Sequence, residues 1–156
     1  MVRVAVLCAY ASGIVSIFGI AFLLAFFGLR APTGTLNDIA VIVQYSLMLP
    51  IGFALYQILR PFNSPLSLAA LLIGIPGMIA VIILQVLLVS DVIPFSAQIV
   101  PVIIAFLVVL VWFVIVGILG RSTERVPNGM LLHVLAGLYI GYPIWAFSLG
   151  RRLRTP

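Results

Sequence analysis

Five long apolar runs divide the chain, separated by short stretches rich in Arg, Asp, Asn, Pro and Gly. They predict helices over about residues 4–29, 38–59, 66–90, 99–120 and 130–149. A run of about 20 apolar residues crosses a hydrocarbon layer about 30 Å thick as a helix. None of the runs shows the period-2 alternation of a barrel strand, and backbone groups in lipid must be satisfied within a helix or around a closed barrel. The expected fold is all-α: a polytopic transmembrane helix bundle, five spans in a single integral membrane domain over 1–156, with short loops.

Small residues refine this picture. Ala5, Ala9, Ser12, Ser16 and Gly19 recur at spacings of four and three, which draws a narrow seam for close helix packing along the first segment. Arg3 and the string Ala9-Tyr10-Ala11 imitate a signal peptide. Only about five apolar residues precede that string, against the 7–15 of a signal core, so a retained helix is expected. Thr35 or Asn37 is placed to cap the second helix, with Asp38 at the positive end of its dipole. Arg60–Pro65 reads as a tight turn, Asp91–Gln98 as a loop, and Arg121–Gly129 as the most polar loop.

The third segment, about 37 Å long as a helix, must tilt or kink. Pro76 lies near its middle in the string Ala69 to Gly77, where it removes a backbone donor beside Gly74 and Gly77. A related string, Ala136 to Pro143, contains Gly137, Gly141 and Tyr142. Segments two and three would then form one hairpin and segments four and five another, a parallel two-plus-two repeat whose paired breaks could mark a binding site. Segments two and four share no comparable motif, so the pair supports architecture better than mechanism.

Composition narrows the function. The chain is 65% hydrophobic and 7% charged, against roughly 25% charged for a soluble domain, which excludes a water-soluble fold. All eight basic residues are Arg, so a lysine Schiff base is absent. Five spans would place Arg3, Arg60, Arg121 and Arg125 on one side and Arg30, Arg151, Arg152 and Arg154 on the other. The positive-inside rule is nearly silent on that even split. The loops alone put the N-terminus inside, and the basic tail would join that side only if a segment, the fifth foremost, failed to cross.

Ionisable groups fall at helix ends or in loops, where they form neither a carboxylate relay nor an intramembrane protease pair. Cys8 is the single cysteine and reads as a small packing residue. His133, the single histidine, lies about one turn into segment five; a functional role would pair it with Glu124 or with Tyr139 and Tyr142 near a lipid or quinone headgroup. Gln44 and Gln85 are the deepest amides and are expected to join helices by hydrogen bonds. Tyr139, Tyr142 and Trp145 suggest an interfacial aromatic belt, while Trp112 lies deeper and needs a partner for its N–H. Arg60, Arg121 and Arg125 would face anionic lipid headgroups.

Leu49-Pro50 through Arg60-Pro61, Gln85 to Val89, Trp112 to Gly117, Val126-Pro127 and Gly141-Tyr142-Pro143-Ile144-Trp145 with Leu149-Gly150-Arg151 resemble bacterial multi-pass membrane proteins of a domain-of-unknown-function type. The resemblance implies an all-helical inner (plasma) membrane protein and carries no substrate or functional residue.

The expectation is a small integral membrane protein without a catalytic site, cofactor, metal or nucleic-acid partner. It would act as an accessory, assembly or sensory helix-packing partner of another protein or of its own copies. The alternative is a carrier or binder of a small apolar molecule, lipid or quinone at kinked helices three and five. Its site would draw on Gly74, Pro76, Gly77, Gln85, His133, Gly137, Gly141, Tyr142 and Pro143. An interfacial enzyme using His133 is the third reading. A polar cavity between Pro76 and Pro143 would favour the carrier, and an exposed small-residue face on segment one the partner.

Overall fold

The computed structural model describes residues 2–30 and 32–154; Ala31, inside the expected 30–37 loop, lies outside the described residues. The described chain is all-helical: α1 (Val2–Leu29), α2 (Gly34–Leu59), α3 (Ser64–Val89), α4 (Phe95–Leu119), a 3-10 turn (Gly120–Ser122), α5 (Met130–Gly137) and α6 (Tyr142–Arg154). The first four helices are long and apolar enough to cross a membrane.

Successive helices pack antiparallel. Gly19 faces Ala40 across α1 and α2, Gly52 faces Ile75 across α2 and α3, and Gly74 faces Trp112 across α3 and α4. The Arg3, Arg60 and Arg121 ends of the helices therefore share one end of the bundle, and the Arg30 and Asp91 ends share the other. α5 then packs on α4 and α6 on α1, so the last two helices close the ring between the first and the fourth.

All four long helices begin earlier than expected, and α2, α3 and α4 do so for local reasons. α3 starts at Ser64 because the Leu66 N–H donates to the Asn63 side chain at 3.1 Å and Pro65 suits a first turn. α4 starts at Phe95 because extended Pro94 offers its carbonyl to Ala97 and Gln98, which moves Gln98 from the expected loop onto a buried helical face. α2 starts at Gly34, so neither Thr35 nor Asn37 caps it. The preceding Thr33 instead donates its hydroxyl to the Phe22 carbonyl at 2.8 Å, tying the turn to α1.

The fifth segment is the main correction. The single helix expected over 130–149 is two helices, with a break at residues 138–141. The last turn of α5 closes through Leu138 N–H to the Val134 carbonyl, Tyr139 N–H to Ala136 and Gly141 N–H to Leu135. Tyr139 takes φ +73°, the left-handed region in which helices commonly end. Pro143 cannot continue a helix through this point, but it fits the first turn of a new one.

The new helix runs back the way α5 came. His133 packs beside Gly117 and Gly137 beside Leu110, so α5 enters from the arginine-rich end. On the return Tyr142 meets Ser12, Ala146 and Phe147 lie over Gly13, and Gly150 meets Tyr10. Arg152 finally reaches the Glu124 carbonyl at 2.8 Å. The pair is a re-entrant hairpin: it enters and leaves at one end, with its tip a little past the middle of the bundle at Gly19 of α1.

Candidate functional site

The place where helices three and five were expected to frame a site is occupied by aromatic rings. Trp112 on α4 lies so close to Gly74 that its indole takes the space of a Cβ. Its ring centroid is 4.7 Å from Phe113 and 6.3 Å from Trp145, and Phe113 stands 4.9 Å from Trp145 and 6.2 Å from Tyr142. Edge-to-face pairs at such separations add about 0.5–1.5 kcal/mol each beyond their burial. Trp112, Phe113, Tyr142 and Trp145 are all buried, so Tyr142 and Trp145 form part of this plug rather than an interfacial belt.

Of the nine candidate ligand or packing residues, Gly74, His133, Gly137 and Tyr142 border this aromatic cluster, and the others lie elsewhere. Gly74 and Gly77 let α4 approach α3, the latter against Val108 and Val109. Pro76 is exposed on the outer face of α3, which runs unbroken past it. Gln85 accepts a hydrogen bond from Gln98 Nε2 at 3.1 Å near the far end. Gly137 takes Leu110 and Phe113 against its backbone, and Gly141 meets the backbone of Leu135 and Ala136 inside the hairpin turn. Pro143 is buried in the first turn of α6. These positions serve helix packing, some around the aromatic cluster and some away from it; the resemblance between Ala69–Gly77 and Ala136–Pro143 joins an uninterrupted helix to a turn.

His133 is fully buried. Its Nδ1 lies 3.0 Å from the Gly129 carbonyl, an acceptor, so this nitrogen carries the proton. The ring stacks edge-on to Trp145 with centroids 5.9 Å apart, and Nε2 has no hydrogen-bond partner. Among the described residues, no three His, Cys, Asp or Glu side chains gather as a metal site would require.

The seam on α1 is covered rather than exposed. Ala5, Cys8, Ala9, Ser12, Gly13, Ser16 and Gly19 are all buried, largely beneath α6 and the hairpin tip. The Tyr142 hydroxyl donates to Ser12 Oγ, which donates to the Ala9 carbonyl at 3.1 Å. At the tip, the Tyr139 hydroxyl lies against Gly19 with Asn37 Oδ1 close by. Ser16 sits beside the same hydroxyl as its polar neighbour.

Because the hairpin stops part way, the ring is open beyond its tip. The stripe of α4 that meets α5 at Gly117, Phe113 and Leu110 continues by helical spacing through Phe106, which packs on Tyr45, to Ile103 and Ile99, 51% and 37% exposed. The stripe of α1 that meets α6 continues to Leu24 and Phe27, 67% and 74% exposed. Leu138 and Ile140 form the floor of this lateral gap, Ile140 being 76% exposed. Sequence reasoning missed the gap because it depends on the break after Gly137. It also missed Gln98, assigned to a loop, and the Tyr142–Ser12 bond, whose partners lie 130 residues apart.

The hairpin also gathers charge. Arg3, Arg60, Arg121, Arg125, Arg151, Arg152 and Arg154 lie at one end with Glu124, while Arg30, Asp38 and Asp91 lie at the other. Near the α2–α3 turn, Tyr56, Gln57, Arg60, Pro61 and Ser64 line an open depression of about 660 Å³. No family model, curated protein or solved structure matches the chain.

Proposed function

We propose that this chain is a non-catalytic membrane bundle that acts as an accessory, assembly or sensory partner by receiving a transmembrane helix in the gap above its hairpin. The observation that carries the reading is the unfinished ring: Leu24 and Phe27 on one flank and Ile99 and Ile103 on the other are apolar and exposed above a floor of Leu138 and Ile140. A helix about 10 Å across fills such a gap with the side-chain contacts that α6 makes lower down. The helix comes from another protein or from a second copy. The resemblance to bacterial multi-pass proteins supports an inner (plasma) membrane location. The seven arginines at the hairpin's open end support a cytoplasmic placement of that end under the positive-inside rule, with the chain crossing four times.

A second reading has its own support. The Tyr139, Ser16 and Asn37 oxygens cluster beside Gly19 at the edge of the apolar gap, an arrangement suited to the polar end of a small apolar molecule, lipid or quinone. The carrier reading thus moves from Pro76 and Pro143 to the hairpin tip. Photo-crosslinking residues placed at Leu24 and Ile103 in intact membranes separate the two. Protein adducts at both positions, absent from a control at exposed Leu72 of α3, are expected. Adducts to lipid or small molecules alone overturn the partner reading in favour of the carrier.

A further inference from the structure

We propose that the open end of the re-entrant hairpin is a binding site for the phosphate headgroup of anionic phospholipids, formed jointly by the α4–α5 loop and the end of α6. Arg121 and Arg125 come from the loop and Arg151 and Arg154 from the last turn of α6, and all four are exposed. Two sequence-distant segments are locked into one surface. Arg152 donates to the Glu124 carbonyl, and Val126 and Leu153 are buried in the same core cluster. The loop is therefore a packed cover on the end of the bundle, and its arginines are held beside those of α6.

Charge and position select the occupant. The C-terminal end of a helix carries negative partial charge, which favours the three arginines of the last turn but neutralises little of their charge. Glu124 is the sole acidic residue of this loop and of α6. The surface lies where α4 and α6 end, at the polar end of the long apolar helices. A guanidinium binds phosphate with two parallel hydrogen bonds, and basic residues near an anionic membrane surface are attracted to it. The site does not depend on what fills the lateral gap, which lies beyond the hairpin tip, away from this end.

The test uses the whole chain in nanodiscs of phosphatidylcholine, alone or with 30% phosphatidylglycerol (about a third of the lipid, enough to give a strongly anionic surface). Lipids retained after extraction are counted by native mass spectrometry. The wild type is expected to retain phosphatidylglycerol at least tenfold over phosphatidylcholine, with the preference falling as salt rises. Substituting Gln at Arg121, Arg125, Arg151 and Arg154 together removes the preference, and Lys at the same four positions restores part of it. Arg30→Gln, at the opposite end, leaves it unchanged. Equal retention of both lipids by the wild type, or equal loss from Arg30→Gln, overturns the proposal. So does full displacement of the lipid by millimolar inorganic phosphate, which identifies a site for the free ion. If the four-Gln chain does not fold, the Lys series and the salt dependence of the wild type still decide the outcome.

Discussion

The Tyr142 hydroxyl donates to Ser12 Oγ at 2.9 Å, across 130 residues of sequence. This bond fastens the start of α6 to the small-residue seam of α1 at membrane depth, and both partners are buried. Tyr142→Phe and Ser12→Ala should each lower stability by about 0.6–2 kcal/mol, the range for interhelical hydrogen bonds in bilayers. The double variant should cost little more than either single one. Unfolding in mixed detergent measures all three, and simple additivity would show that the bond contributes nothing.

The contact between Gly74 and Trp112 leaves no room for a methyl group. Gly74→Ala should push the indole off α3 and destabilise the chain by about 1–3 kcal/mol, as overpacking does. Trp112→Ala empties the centre of the aromatic plug and should cost about 3–5 kcal/mol. Near-UV circular dichroism should weaken in both variants, because the ring cluster is buried and packed edge to face.

Gly141 illustrates a different constraint. A Cβ there would stand 3.0 Å from the Leu135 carbonyl carbon and 3.2 Å from the Ala136 nitrogen. Backbone cannot give way as a side chain does. Gly141→Val should open the turn between α5 and α6 while leaving the four long helices formed. Limited proteolysis after detergent extraction should then cut near residues 138–141, and an unchanged digestion pattern would contradict the re-entrant hairpin.

The amides of Gln85 and Gln98 pair between α3 and α4. Removing one leaves the other buried and unpaired, so Gln98→Leu alone should cost about 1–3 kcal/mol. Gln85→Leu combined with Gln98→Leu should recover most of that loss, because two apolar side chains then replace a matched pair. Thermal unfolding of the three variants is the measurement.

Both chain ends should report from the same compartment. A reporter placed after Arg154 should show the same side of the membrane as one placed before Val2, and the opposite side from one in the α3–α4 turn at Asp91. Replacing Arg151, Arg152 and Arg154 together with Asn reduces the charge asymmetry without changing helix length. Mixed orientation is the expected effect of adding Arg121→Asn and Arg125→Asn to that variant.

The long helices were legible because hydropathy over some twenty residues is a strong signal and lipid tolerates few alternatives. The α1 seam was legible too, since small residues spaced by three and four can serve close packing wherever they face. Their occupant was not legible, because Tyr142 and Gly150 reach the seam only after the chain reverses. Gly137, Gly141 and Pro143 gave no decisive warning of that reversal, as such residues are common inside membrane helices. The break is written instead in the hydrogen bonds around Leu135 and in the left-handed Tyr139. The even split of arginines was the indirect clue: four against four is awkward for five crossings, and the hairpin resolves it to seven against one.

The hairpin also imposes a timetable on biogenesis. α5 has eight residues and α6 thirteen, about 12 and 20 Å, so neither crosses the bilayer alone. The irregular backbone between them is tolerated at depth only against protein. The translocon can release α1 to α4 one after another, but residues 130–154 must wait for the groove between α1 and α4 to exist. Until they arrive, the nascent bundle leaves Ser12, the partner of Tyr142, without that cover. During that interval an insertase or chaperone has something to shield, and a chain cut short after residue 129 remains there permanently.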